Sequence, residues 1–494
     1  PKAKMSPPLT VLWASCLLWH AVFSLEYRGP QVHTAAAPAS DKPLQVIGFG
    51  SCNHQDMEQD LWEQLDAEQP DLYLWLGDNV YGDRIVATTS FPFLKHDHEF
   101  PELVLKAYAH QASVPAYRAF VAKHPVLATW DDHDYGKNDG DKTFPYRRES
   151  QQIFLDFFNV PVGDPRRRRE GVYVARTYGP PGQKTRVILL DNRYHKDPYR
   201  VTDGDMLGEE QWSWFEEQLR DASINLFIVG AGLQMLPDER SLGEFWGRLP
   251  RAKDRLLNAT LATEAPLLLL SGDVHYSEIT EVRCRRMGAD ASHTKRLVEI
   301  TSSGMTHAWG DPRGFLGLGM FQGEQLWKRF VSWFFNDLVG INAFALLQRL
   351  HPSRFREKNL RDVTAQRSYG VLHVDWSGER PSLAVRIMGA NGVTLIERDL
   401  SYSNAGDANG VVEEEEGPYT CEPLYNERSQ GERFVAHAVS ATILLAFFGS
   451  CLYVVMGTLL LPVIVPLAIL RRQSRKSKTK TQGDSKSKSK SKSK

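Results

Sequence analysis

Apolar residues along this chain gather in short runs that stop abruptly at polar turns. Leu44 to Gly50 leads into Ser51-Cys52-Asn53-His54, and Leu72 to Leu76 leads into Gly77-Asp78-Asn79-Val80-Tyr81. Pro125 to Trp130 leads into Asp131-Asp132-His133-Asp134, and Leu267 to Leu270 into Ser271-Gly272-Asp273-Val274-His275. Runs of this length, bounded by Gly, Asn and Asp, predict buried strands. Thr185 to Leu190 and Leu226 to Val229 read the same way, while Glu209 to Leu219 and Ala252 to Leu261 carry the spacing of helices between strands. Leu297 to Ser302, Gly370 to Asp375 and Ser382 to Met388 add further strands, the last two alternating as in a sheet covered on one face. Alternating strands and helices predict an α/β architecture from Leu44 to about Tyr402. In such folds the carboxyl ends of strands converge on one crevice, so groups placed just beyond them can meet there.

The two ends of the chain have a different pattern. Lys2 and Lys4 precede an apolar stretch from Leu9 to Leu25, which predicts a signal peptide over residues 1–24, with an uncleaved anchor as the alternative. Phe434 to Leu470 is nearly free of charge and long enough to cross a hydrocarbon core of roughly 30 Å. Arg471, Arg472 and Ser-Lys repeats follow it, so the positive-inside rule places residues 471–494 in the cytosol as a disordered tail and the body outside it. A glycolipid-anchor signal would end in the apolar tail, without such a basic extension. Residues 403–433, with Glu413 to Glu416, read as an acidic stalk, and Phe315 to Leu350, rich in Trp and Phe, as helices inserted between strands. The expectation is a single-pass type I protein of the secretory pathway or plasma membrane, in contact with the lipid bilayer through its C-terminal transmembrane helix.

Composition changes this picture little, but charge does. The 494 residues are 42% hydrophobic and 24% charged, as in a globular enzyme. The net charge of -1 conceals a tail with eleven Lys or Arg against one acid, so the remainder carries about -11. An acidic body excludes a nucleic-acid-coating protein, and no protein partner is inferred. Of five cysteines, Cys16 falls in the signal segment and Cys451 in the apolar one. If Cys52 is a metal ligand, Cys284 and Cys421 can pair in an oxidising compartment or remain buried thiols. Asn258-Ala259-Thr260 supplies one sequon for a glycan.

The residues past the strand ends carry metal chemistry. Asp78 and Tyr81 lie three apart in a turn and can address one ion. A phenol ligates best as phenolate on a trivalent metal, and the Cys52 thiolate suits iron or zinc better than magnesium. Asp273 and His275 share a side if the strand period continues, and Asn138 adds a neutral oxygen donor. Such a set predicts one trivalent site beside oxygen-rich divalent sites. Clustered metals suit phosphate esters, because they lower the pKa of bound water to roughly 7 and steady both entering and leaving oxygens. Arg193, beyond another strand, is a candidate phosphate clamp, and His307 a candidate proton donor or outer-shell group. Neither a P-loop nor a hydrolase elbow is present.

Taken together, Ser51-Cys52, Gly77-Asp78-Asn79-Val80-Tyr81, Trp130-Asp131-Asp132-His133-Asp134, Leu190-Asp191-Asn192-Arg193, Leu207-Gly208-Glu209-Glu210-Gln211-Trp212 and Ser271-Gly272-Asp273-Val274-His275 resemble the signatures of PhoD-like alkaline phosphatases. The resemblance implies a four-layer metallophosphatase-like sandwich of two mixed β-sheets flanked by helices, spanning residues 44–402. It implies an iron (Fe3+) and calcium centre, with zinc or other divalent ions as alternatives. Cys52, Asp78 and Tyr81 would hold iron, Asn138, Asp273 and His275 would complete the cluster, and Asp78 or Asp273 would bridge. The activity implied is metal-dependent phosphate-ester hydrolysis by an activated water, outside the cytosol. Phosphodiesterase or phospholipase D-like action on lipid headgroups is the alternative enzyme, and an inactive binding or adhesion ectodomain the alternative outside enzymes. Bacterial members often carry an added β-rich amino-terminal domain, for which the segment before Leu44 is too short.

Overall fold

The computed structural model describes residues 31–32, 34–37, 41–83, 101–237, 243–286, 294–308, 362–400 and 419–423, with isolated helical positions at 442 and 449. Residues Pro1–Glu427 form one unit and Arg428–Lys494 a second. In the first unit the strands are β1 (Val46–Gly50), β2 (Leu72–Leu76), β3 (Val126–Thr129), β4 (Val174–Tyr178), β5 (Thr185–Leu189), β6 (Leu226–Gly230), β7 (Leu267–Ser271), β8 (Ser277–Arg286), β9 (Thr294–Thr301), β10 (Val363–Thr364), β11 (Ser368–Asp375), β12 (Ser382–Gly389), β13 (Thr394–Leu400) and β14 (Tyr419–Pro423). The helices are α1 (Leu61–Ala67), α2 (Glu102–Ser113), α3 (Pro115–Lys123), α4 (Asp132–Tyr135), α5 (Arg147–Phe157), α6 (Glu209–Leu219) and α7 (Pro250–Leu261).

Two mixed sheets result. One has the order β13-β12-β11-β1-β2-β3, with β1, β2 and β3 parallel and the other three antiparallel. The second has the order β10-β8-β9-β7-β6-β5-β4, with β5, β6, β7 and β9 parallel and β14 added to β8. The period-two alternation of each parallel strand explains how the sheets stack. Leu72, Leu74 and Leu76 of β2 share a core with Val187 and Leu189 of β5, Leu226 and Ile228 of β6, and Leu268 and Leu270 of β7. Their alternates face the other way: Tyr73 and Trp75 pack with Trp62 of α1 and Tyr117 and Phe120 of α3, while Phe227, Val229 and Leu269 pack with Trp212 of α6 and Leu256 of α7. Helix, sheet, sheet and helix therefore form four layers, and both faces of each parallel strand are buried. That is why these strands read as unbroken apolar runs.

Most predicted strands lie within a residue or two of their observed bounds, and Glu209 to Leu219 is helical over its full length. One reading needs correction. Part of the segment read as an exposed stalk is β14, which pairs antiparallel with β8 and is joined to it by a Cys284–Cys421 disulfide. Asn258 of the sequon is engaged by the fold: its Oδ1 accepts from the Tyr419 backbone N–H at 2.9 Å, and the Thr260 hydroxyl is buried on its own helix. The signal segment, the aromatic stretch Phe315 to Leu350, the basic tail and, apart from positions 442 and 449, the apolar span at 434–470 lie outside the described residues. Among the described residues no helix is long and apolar enough to cross a membrane.

Candidate metal centre

All the parallel strands deliver their carboxyl ends to one region. Cys52 follows β1, Asp78 and Tyr81 follow β2, Asp131 to His133 follow β3, Arg193 follows β5, Asp273 and His275 follow β7, and His307 follows β9. The turns are tight enough to force unusual backbone. Cys52, Asp78, Asp273 and His275 have φ of 59°, 50°, 68° and 57°, in the left-handed region that non-glycine residues avoid. Four such residues at one crevice mark a place where local strain is held by surrounding structure. Gly77 (φ 91°) and Gly232 let two loops close on Asp131: a Cβ on either would lie 2.5 Å from an Asp131 side-chain atom.

The centre of the site is a knot of carboxylates. Ligand atoms of Asp78, Asp131, Asp132 and Asp273 all lie within 4.8 Å of one another, as do those of Asp78, Asp132 and His133. Cys52 Sγ is 3.4 Å from Asp78 Oδ2 and 3.3 Å from the Asp273 carbonyl, and the Tyr81 hydroxyl is 3.5 Å from the same Asp78 oxygen. The structure thus brings Cys52, Asp78, Tyr81 and Asp273 together. His275 stands beside them. Its Nδ1 donates to the His307 carbonyl at 3.3 Å, which leaves the lone pair on Nε2, the tautomer suited to a metal.

Two predicted residues are placed differently. Asn138 is exposed, and so is its neighbour Asp139, which has φ 53° and whose N–H donates to Asp132 Oδ2 at 2.7 Å. Asp132, Asp139 and Glu244 form a third carboxylate group of the same tightness. Arg193, expected as a phosphate clamp, is fully buried, with Nε on Asp131 Oδ1 at 2.5 Å and Nη1 on Glu244; Lys196 also pairs with Glu244. Only its Nη2 lacks a partner. Asp131 and Asp132 stood in a quoted motif but were not singled out as ligands; Asp139 and Glu244 follow no strand end and gave no signal.

Electrostatics separates these groups. Burial pushes the Cys52 thiol, the Asp78 carboxyl and the Tyr81 phenol up, and neighbouring anions add to the shift. Asp273 is raised by burial and then by Asp131 and Asp132. Asp131 is pushed up to about 6 by burial, with Arg193 opposing. Asp132 lies below the usual carboxylate range: burial raises it, but His133 and Arg193 outweigh that. His133, with Nδ1 on Asp83 Oδ1 at 2.7 Å, is raised although burial opposes it, because Asp132, Asp83 and Asp78 surround it. Burial drives His275 down to about 4 and His307 well below its usual value, with neighbouring imidazoles adding to both shifts.

Cations fit this donor set. Asp131 Oδ2 and Asp132 Oδ1 are buried without a hydrogen-bond partner, which costs free energy unless something positive meets them. Thiol and phenol on one side and carboxylates on the other provide both soft and hard ligands.

A two-sheet α/β sandwich with a candidate acidic metal site at its strand ends is the class that fold and site define. The chain belongs to the PhoD-like phosphatase family, whose model matches residues 47–315, more than half its length. Alkaline phosphatase D of Bacillus subtilis (strain 168) is 22% identical over 289 residues, 49% of this chain and 48% of that protein. The chain thus spans about half the length of this curated relative. The solved structure of PhoD superposes over 84% of this chain and 79% of its own with a TM-score of 0.51 at 15% identity, which supports the fold.

Proposed function

We propose that the protein hydrolyses phosphate monoesters at a metal cluster held by Cys52, Asp78, Tyr81, Asp131, Asp132, Asp273 and His275, in a body anchored outside the cytosol. The observation that carries this reading is the convergence of four carboxylates with Cys52 and Tyr81 at the ends of the parallel strands. Iron on the thiol and phenol side and calcium on the carboxylate side match the donor types. When bound, such ions polarise the phosphoryl group and acidify water. Asp78, shared between Cys52, Tyr81 and the other carboxylates, fixes the two sides relative to one another. Asp132 stays ionised, while Asp131 is oriented by Arg193 and Asn192, whose Nδ2 donates at 3.1 Å. Arg193 Nη2 is the one donor of that guanidinium left to meet an anion.

An extracytosolic location is supported by the Cys284–Cys421 disulfide, since such bonds persist in oxidising compartments. The apolar segment at 434–470 and its basic flank support a single crossing with the tail inside. Metal analysis of the purified protein, with turnover of a monoester and a diester before and after chelation, tests the reading. Hydrolysis that needs iron and calcium and favours the monoester is expected. Full activity in metal-free protein would refute it, and preference for the diester would shift the substrate class.

A further inference from the structure

Outside the buried carboxylates lies a layer of rings that the metal reading does not use. Asp78, Asp131, Asp132 and Cys52 are buried, whereas His54 and His307 are only partly covered, as is Asp273. His54 stacks on the Tyr81 ring with centroids 4.9 Å apart and planes at 18°, and His307 meets the same ring edge-on at 5.1 Å. A substrate whose phosphoryl group reaches the carboxylates therefore keeps its ester oxygen and leaving group at the depth of these imidazoles.

His54 is held as a donor. The Asp56 backbone N–H donates to its Nδ1 at 3.2 Å, so in the neutral ring the proton sits on Nε2. The His54 backbone N–H donates to Thr306 Oγ1 at 2.8 Å, and that hydroxyl also lies 3.0 Å from His307 Nδ1 and 3.3 Å from the Cys52 carbonyl. One hydroxyl thus ties both imidazoles to the Cys52 turn. Among the described residues nothing accepts from His54 Nε2.

We infer that His54 is a substrate-binding residue whose Nε2–H donates to the ester oxygen on the leaving-group side, with Thr306 as the residue that positions it. The inference rests on the phosphate-ester reading and adds the group that meets the departing oxygen. No proton is transferred; the hydrogen bond strengthens as negative charge grows on that oxygen.

The test uses the metal-loaded protein with an alkyl phosphate, a nitrophenyl phosphate and inorganic phosphate as inhibitor. His54→Ala should lower kcat/KM for the alkyl ester ~10-fold or more, as for loss of a hydrogen bond to a developing charge. The nitrophenyl ester, whose leaving oxygen needs less help, should lose distinctly less. Inhibition by inorganic phosphate, which has no leaving group, and metal content should stay at the wild-type level. His54→Gln, which keeps an N–H, should recover much of the alkyl activity. Equal losses for both esters, a matching loss of phosphate inhibition, or loss of metal would each overturn the assignment. Wild-type protein that hydrolyses neither ester overturns the functional reading as well, whereas active wild type with an unimpaired His54→Ala variant overturns this inference alone.

Discussion

The two flanks of the centre are built on opposite charge plans. On one, Asp131 and Glu244 face Arg193 and Lys196, so two buried anions meet two buried cations. On the other, Asp78 has His133 as a nearby positive group and Asp273 feels Arg193, yet burial holds Cys52, Asp78, Tyr81 and Asp273 each toward its protonated form. The first flank has its charges balanced by folding alone, with Asp131 Oδ2 and Arg193 Nη2 the atoms left without a partner. The second is complete only with protons or with cations, and exchanging one for the other is what metal binding at such a site requires. The difference bears on the proposed function: the compensated flank is held by its own ion pairs, and the uncompensated one is where the proposal has most of the charge met by cations.

Substitutions on the two flanks should therefore differ in kind. The largest effect is expected from Asp78→Asn, which removes the carboxylate shared by thiol, phenol and carboxylates. Turnover should fall ~10³-fold or more, the several kcal/mol a catalytic metal supplies, with metal content falling too. Arg193→Ala should act on stability, leaving Asp131 and Glu244 buried without their shared cation at a cost of about 3–5 kcal/mol, read in denaturant unfolding of the metal-free protein. Asp273→Asn should have the opposite sign. Because burial and its neighbours raise the Asp273 pKa, the folded protein retains a proton that the unfolded chain releases above about pH 4, and stability declines as pH rises. The neutral amide removes that term, so metal-free Asp273→Asn should be more stable than wild type by ~1 kcal/mol at neutral pH, and the gap should close in acid. If Arg193→Ala and Asp273→Asn both destabilised the metal-free protein alike, the distinction between flanks would fail.

How much of this was legible follows from the same physics. Strands buried on both faces are written as apolar runs, so β1, β2, β5, β6 and β7 and the candidate ligands in the turns just beyond them could be placed from sequence. β4 exposes Arg176 and Thr177 on a sheet edge, and β8 mixes buried Glu278 and Glu281 with Arg residues; neither has an apolar run to reveal it. Glu244 escaped because its partners, Arg193 and Lys196, lie on another loop. Asn138 was read as a neutral oxygen donor from its type alone, and Asp139 beside it was not read at all. The left-handed Asp139 carries its N–H to Asp132, and only folded geometry shows it. His54 was visible as a residue after β1, yet its use depends on Thr306, which sits 252 positions away. β14 was hidden because an acidic, polar surround reads as tether, and its pairing is fixed by a disulfide across 137 positions.

A pair far from both flanks sets the floor for these comparisons. Asp66, at the end of α1, accepts from Lys123 Nζ at 2.6 Å and from His124 Nε2 at 2.7 Å, joining α1 to the end of α3. These hydrogen bonds, that from Lys123 first, lower its pKa. A depressed carboxylate contributes stability above the unfolded value of about 3.9, and that contribution is lost as pH falls through the folded value. Asp66→Asn should then cost no more than about 1 kcal/mol at pH 7, as for pairs near the surface, and the deficit should disappear as pH falls below the carboxylate range. It should leave turnover and metal content untouched. Unfolding curves of wild type and variant at neutral and acid pH measure this directly. A deficit as large as that of Arg193→Ala would mean that solvent contact does not distinguish a surface pair from the buried network, and the special status of the compensated flank would be lost.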